Sequence, residues 1–415
     1  MSPPPMPQTS RPAPMPPLAI PAYTATTALG RGREAQADAL RARRGGLRRN
    51  DFGEARLDTW IGRVDGLEQS PLPGQFARWE CRNNRLAWLA LQQDAMLDAI
   101  AEVRERLGAE RVALVLGTST ASIGETEAAY ATLQSGADGQ PQFASGMRRP
   151  IVHTPHSLGD FVQHATGLRG PSVTVATACS SSAKVFAQAA RLIDAGVADA
   201  ALVGGVDTLC GSVLYGFNSL GLVSTQACRP FDAARDGLSL GEAGGFALLE
   251  RCTTRERASS TLQLRGYGES SDAHHMSTPH PEGLGARLAM SDALARAGID
   301  ASQVGYLNLH GTATPANDAV EARALAALFP DTLHASSTKG WTGHTLGAAG
   351  IVESIFALIA LQDGLLPGTL NSGTADPACG PQIRFDNVDR VIGHAMNNSF
   401  GFGGNNCSLV FGRAA

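Results

Sequence analysis

Cys179 stands in TACSSSA, where the apolar run SVTVATA (172–178) meets a stretch of helical period from about 180 to 195. A cysteine in the first turn of a helix lies among free backbone amides at the positive end of the dipole. That setting lowers a thiol's pKa and favours the nucleophilic thiolate. The flanking Ser180, Ser181 and Ser182 and the tight corner favour a nucleophile over a small buried hydrophobe. His310 closes the apolar run in VGYLNLHGTATPAND, just past a strand's carboxyl end, where open α/β sheets carry their sites. His344 lies in TKGWTGHTLGAAG, where Gly340, Gly343, Gly347 and Gly350 let backbone and substrate come close, and Lys339 stands five residues before it. The turn NNSFGFGGNN (397–406) lacks the GxGxxG spacing and following helix of a phosphate cradle. A glycine turn can instead aim a backbone N–H at a developing oxyanion, which acyl transfer requires.

The elements that must hold these residues follow from periodicity. A strand is expected near 18–24 and a helix at 33–44, with Arg41, Arg43 and Arg44 on its solvated end. Leu86, Leu89, Met96, Ile100 and Val103 recur at helical steps and predict one long helix over 82–107, ended by Gly108. Buried strands are expected at 112–116 and 172–178, the latter leading into a helix with Val185, Phe186, Ala189, Leu192 and Ile193 inward and Gly196 as its stop. Strands follow at 200–206 and 246–250, then a linker, RCTTRERASS, near 251–260. Beyond it come a strand at 262–267, a helix at 284–297, a strand at 304–309, a helix near 350–362, and strands at 391–396 and 407–411. This alternation predicts mostly parallel, helix-covered sheets. It divides the chain into an N-terminal half (17–262) and a C-terminal half (263–415). Residues 1–16 are Pro-rich, and read as a flexible or polyproline-like tail outside the fold.

Composition narrows the function classes. With 415 residues and 43% hydrophobic content the chain can bury a large core. A formal charge of −4 gives no strongly positive field, and aromatics make up only 6%, so nucleic-acid binding is excluded and an acidic partner must meet a local patch. No run reaches the roughly 18 uninterrupted apolar residues of a membrane span, and no signal pattern precedes the fold, so a cytoplasmic protein is expected. Seven cysteines without CxxC spacing read as reduced thiols rather than a disulfide or zinc framework. His274 and His275, in SSDAHHMSTPHPEG, lack a third ligand at finger or helical spacing, so no metal site is expected there.

Taken in order, TACSSS, HGTATPAND, TKGWTGHTLGAAG and NNSFGFGG make the sequence resemble the β-ketoacyl-acyl-carrier-protein synthases of the type I/II elongating class, in the thiolase-like superfamily. CRPFDAARDG (228–237) matches a further family segment, and the resemblance runs over nearly all of 17–413. It implies a thiolase fold, an α/β protein of two βαβαβαββ halves stacked as five layers, α-β-α-β-α, working without cofactor or metal. As partners it implies acyl- and malonyl-loaded acyl carrier protein, and a second subunit in a homodimer or a heterodimer with a related ketosynthase or chain-length factor.

The resemblance also assigns roles. Cys179 becomes the acylated nucleophile, His310 and His344 the two catalytic histidines, and Lys339 and Glu321 a supporting pair in which the carboxylate balances the ammonium. Phe402 matches the gating phenylalanine of the GFGG loop, Thr312 and Thr314 the threonines that bond the pantetheine arm, and Phe400 and Phe231 substrate-binding positions. Arg148 and Arg149 match carrier contacts, with Arg82 beside them. The implied reaction is a decarboxylating Claisen condensation that lengthens an acyl chain by two carbons. A non-catalytic chain-length partner would lack the cysteine, and a thiolase or initiating synthase would lack the HGTATP and TGHTLG histidine pair. TACSSS is nearer the polyketide-synthase form of the nucleophile motif than the fatty-acid form. A specialised pathway such as aryl-polyene synthesis therefore stands beside ordinary fatty-acid synthesis.

Overall fold

The computed structural model describes residues 12–53, 57–252 and 262–413, so most of the expected linker at 251–260 lies outside the described residues. Strands form on apolar runs such as VALVLG and on mixed stretches such as YTATT and LQLRGYGESS. The first group is β1 (Leu18–Ala19), β2 (Tyr23–Thr27), β3 (Val112–Gly117), β4 (Ser172–Val175), β5 (Ala200–Asp207) and β6 (Ala243–Arg251). The second is β7 (Leu262–Ser271), β8 (Val304–Asn308), β9 (His334–Ser336), β10 (His394–Gly401) and β11 (Asn405–Arg413). The sheet order is β9-β8-β10-β11-β7-β1-β6-β5-β3-β4, with β2 also on β6. The two-residue β1 pairs with both β6 and β7, and so sews the two strand groups together.

The expectation of mostly parallel sheets needs correction. β5–β3, β3–β4, β8–β9 and β8–β10 are parallel, whereas β5–β6, β10–β11 and β11–β7 are antiparallel. The reason is local: β10 and β11 are joined by the short turn at Phe402–Gly404, and so tight a connection can only make an antiparallel pair.

Nine helices serve the argument: α1 (Gly32–Arg41), α2 (Arg82–Leu91), α3 (Met96–Leu107), α4 (Ser157–Thr166), α5 (Ser181–Asp194), α6 (Gly211–Ser219), α7 (Leu284–Ala297), α8 (Pro315–Leu328) and α9 (Ala349–Asp363). The predicted long helix over 82–107 is two helices. Asp94 and Ala95 both adopt φ 53, outside the helical range, and the Asp94 carboxylate accepts the Arg33 N–H at 2.9 Å, tying the break to the start of α1.

Helices α5 and α9 pack together between the two strand groups, α2 to α4 cover the outer face of the first, and α7 and α8 cover that of the second. Three apolar clusters fill the spaces between these layers. Together they form the five-layered thiolase arrangement. The stretch Leu346–Asp363 has the length and mean hydropathy, 1.5, of a membrane span, yet 89% of it is buried inside the fold. It is the central core helix, hydrophobic all round because it is covered all round.

Close approach fixes the amino end of α5. A Cβ on Gly117 would lie 2.5 Å from Ser182 N, and one on Gly350 would lie 2.3 Å from Ala183 N. Only glycine lets β3 and α9 press this near the turn that carries Cys179.

Candidate active site

After β4 the chain turns through Thr177 into one 3-10 turn, Ala178–Ser180, and then into α5. Ala178 adopts φ 52, a left-handed conformation costly for a residue with a Cβ. The corner is fastened by its own hydroxyls: Thr177 N–H donates to Ser181 Oγ (2.9 Å), Ser181 Oγ to Ala178 O (2.6 Å), and Ser180 Oγ to Thr177 O (2.9 Å). Those serines hold the turn, and Cys179, buried just before them, keeps its thiol outside this set of bonds.

His344 follows the single turn Lys339–Thr342 and places Nε2 3.0 Å from Cys179 Sγ. The Leu346 N–H donates to His344 Nδ1 at 3.3 Å, so the neutral ring carries its proton on Nε2, towards the sulfur. His310, at the end of β8, stands with its ring centroid 5.5 Å from that of His344 and nearly perpendicular, at 87°. Lys339 Nζ lies 3.5 Å from His310 Nδ1 and donates to His310 O and to Glu353 Oε1, both at 2.5 Å. An ammonium has only donors, so His310 Nδ1 also faces a donor and its proton belongs on Nε2.

Burial, and then Lys339, hold both imidazoles well below their ordinary pKa, with His344 adding to the effect on His310. Both rings are therefore neutral donors at physiological pH. For the thiol the expected lowering is reversed. Burial pushes Cys179 up to about 11, against the opposing pull of Lys339 and the Phe402 backbone N–H. Desolvation of the anion outweighs the helix end, and Cys179 rests as a thiol.

The cavity above these groups measures ≈ 330 Å³ and is lined by Cys179, His310, His344, Thr312, Thr314, Phe400 and Phe402, among others. The Thr312 and Thr314 hydroxyls are 2.8 Å apart at its side. The Phe402 ring stacks on Phe217, with centroids 5.6 Å apart. Its turn is tied to the loop carrying His274 and His275 by Gly403 N–H to Met276 O (2.7 Å) and Asp272 N–H to Gly404 O (3.0 Å). The sulfur and both imidazoles have donor atoms within 4.8 Å of one another, the one such three-donor cluster among the described residues. The Lys339 ammonium beside it opposes a metal cation there.

Three expected roles do not fit the geometry. Glu321 does not balance Lys339. Its oxygens accept the His310 and Gly311 N–H groups, each at 2.8 Å, so it holds the backbone of the histidine, while the ammonium's partner is Glu353. Glu353 was missed, although a lone acid in the apolar run GIVESIFALIA signals a buried charge in need of a partner. Phe231 does not line the cavity; at φ 60 it packs beneath Gly311, its N–H held by Asp318 at 2.7 Å. Arg82 is no free contact either. It closes on Glu242, whose side chain is 0% exposed, at 2.6 Å, and also pairs with Glu68. Arg148 is exposed, and Arg149 is half-buried and bonded to Glu80 O and to Glu125 at 3.5 Å.

The chain matches the β-ketoacyl synthase N-terminal domain over residues 79–255 and the C-terminal domain over 262–373. A 3-oxoacyl-[acyl-carrier-protein] synthase 2 of Staphylococcus aureus is 34% identical over 77% of this chain and 81% of its own length. The chain belongs to the β-ketoacyl synthase family. A mitochondrial 3-oxoacyl-[acyl-carrier-protein] synthase of Arabidopsis thaliana is 41% identical over 59% of this chain, and the match spans 57% of that relative's length. Among solved structures, the ketosynthase ApeO in complex with its chain length factor ApeC, from Xenorhabdus doucetiae, superposes with TM-score 0.85 at 34% identity over 96% of this chain and 98% of the other. This β-ketoacyl synthase is therefore an acyltransferase of the condensing kind, with the thiolase-type fold of carrier-dependent ketosynthases.

Proposed function

We propose that this β-ketoacyl synthase condenses malonyl-acyl-carrier protein with an acyl group held on Cys179, and that the Cys179–His344–His310 cluster performs the chemistry. The observation that carries this is the 3.0 Å approach of His344 Nε2 to Cys179 Sγ, with His310 completing the cavity wall. In the first half-reaction the sulfur attacks an acyl thioester, its proton leaves with the carrier thiol, and the Phe402 N–H beside the sulfur stabilises the tetrahedral oxyanion. In the second, malonyl thioester loses CO₂ and leaves an enolate, whose oxygen accepts the Nε2–H of both neutral imidazoles. The enolate carbon then attacks the acyl–sulfur carbonyl, and Cys179 departs and regains a proton. Purified protein given acyl and malonyl carriers should form a 3-oxoacyl carrier two carbons longer and release CO₂. Decarboxylation without the longer product would overturn the reading.

The thiol's raised pKa makes a pH prediction. Because thiolate is the reactive form, iodoacetamide labelling of Cys179 should speed up about tenfold per pH unit between pH 7 and 9. A rate already level at pH 7 would show a depressed pKa instead. Carrier contact falls on Arg148, exposed and outside the buried ion pairs. Arg148→Glu should raise KM for the acidic carrier several-fold and leave kcat unchanged, a change read in a salt-dependent titration.

The TACSSS form of the motif and the likeness to a ketosynthase and chain length factor complex support a specialised polyene or polyketide pathway. They also support a heterodimer with a related subunit, docked on the half-exposed edge strand β4. Native mass spectrometry of the chain produced alone and with its candidate partner separates homodimer from heterodimer. The acyl group retained on Cys179 from a panel of carriers identifies the pathway.

A further inference from the structure

Asp207 ends β5 and is fully buried, yet it does not line the cavity. Its carboxylate is surrounded by donors alone. Oδ1 accepts Thr118 Oγ1 (2.7 Å), Ser119 N–H (2.9 Å), Thr120 N–H (2.8 Å) and Thr120 Oγ1 (2.7 Å). Oδ2 accepts Ser119 N–H (3.0 Å), Ser119 Oγ (2.6 Å) and Gly347 N–H (2.6 Å). The first set lies on the turn after β3. Gly347 lies far along the chain from that turn, in the 3-10 turn Leu346–Ala348 just beyond His344.

The bond between Asp207 and Gly347 bears on how His344 is held. The backbone of His344 is anchored to the neighbouring segment by its own N–H to Ser239 O (2.7 Å) and by Gly241 N–H to its carbonyl (2.9 Å). Its ring is set by the Leu346 N–H on Nδ1, and Leu346 sits at φ 57, a conformation a leucine does not keep unaided. The next residue, Gly347, is where that conformation is fastened. A Cβ there would lie 2.7 Å from Asp207 Oδ2 and 2.8 Å from Ser119 N, so the loop is drawn in as far as a bare backbone allows.

We propose that Asp207 is a positioning residue for His344: by clamping Gly347 it holds the Leu346 N–H against Nδ1 and keeps the catalytic proton on Nε2. The proposal rests on the reading of His344 as an enolate-binding donor.

An isosteric amide tests it sharply. Both carboxylate oxygens accept backbone N–H groups, so Asp207→Asn must turn its NH₂ against one set whichever way it flips. With the NH₂ on the Oδ2 side the Ser119 N–H keeps its bond to Oδ1 and the Ser119 hydroxyl can turn to accept, so the Gly347 amide is the group displaced. The Leu346 N–H then drifts from His344, and the ring samples the Nδ1–H tautomer.

In protein labelled with ¹⁵N-histidine, with His344 assigned by its loss in His344→Gln, the wild type should give the Nε2–H pattern and Asp207→Asn a mixture. Condensation kcat should fall about 10- to 100-fold while KM for malonyl carrier changes less than about twofold and Cys179 still takes a full acyl equivalent. Ser119→Ala removes one bond to Oδ2 and a second acceptor of the Gly347 N–H at 3.2 Å. It should shift both readouts the same way, by less than about tenfold in kcat, and serves if the aspartate variant does not fold. Wild-type tautomer and kcat in the variants would overturn the assignment. So would a loss of kcat accompanied by equal loss of Cys179 acylation and no tautomer change. Failure of the wild type itself to acylate Cys179 would overturn the functional reading instead.

Discussion

Cys179→Ala is expected to end formation of the acyl-enzyme and to lower condensation by at least about four orders of magnitude, while the protein folds normally. No other nucleophile replaces the sulfur: the Ser180 and Ser181 hydroxyls are spent fastening the corner, and both imidazoles are fixed as donors. Alanine fits the buried turn without strain, so the loss is chemical. The two histidines remain, and malonyl decarboxylation should persist without its acyl acceptor. Intact-mass measurement after incubation with acyl carrier checks both points. An alanine variant acylated to the wild-type extent would remove Cys179 from the mechanism.

The second large effect concerns the pair behind His310. Lys339 is 1% and Glu353 3% exposed, and among the described residues Glu353 Oε2 has no hydrogen-bond partner. Burial, with the Glu321 carboxylate adding to it, pushes the Glu353 carboxyl up to about 7 against the opposing pull of Lys339. Removing one partner leaves an uncompensated charge in the core, which costs about 3–5 kcal/mol, whereas replacing both by apolar groups of similar volume is close to neutral. Glu353→Gln should therefore shift the urea midpoint strongly downward, and the double variant Lys339→Met with Glu353→Leu should regain most of the loss. Condensation should stay impaired in the double variant, because His310 Nδ1 has lost the donor that fixes its tautomer. A stable single variant would show that the pair is not coupled as its geometry implies.

How far the sequence could be read follows from the range of each signal. Cys179, His310, His344 and Lys339 each sit in a local motif with its own glycine or strand-end signature, and the fold carries them into one cavity. The strand runs were legible because Val112–Gly117 and Ala200–Asp207 are buried on both faces and carry no polar side chain before Asp207 at the end of the second. What eluded sequence reasoning depends on distant contacts. The break at Asp94 exists because α1 supplies an amide for its carboxylate, and the pairing of Lys339 with Glu353 rather than Glu321 is set by how α9 packs beneath the turn. The raised thiol pKa has the same origin. A helix end is visible in TACSSSA, but the solvent-excluding layers around it are contributed by residues far along the chain.

β4 is the last strand of the sheet, and its four residues are half-exposed. Among the described residues no strand pairs with its outer side, so the backbone N–H and C=O groups there form a template on which an extended chain can add itself. A polypeptide released from the ribosome with this template uncovered is prone to clump with its own copies. Under the heterodimer proposed above, the yield of usable material should rise when the related subunit is synthesised in the same cell.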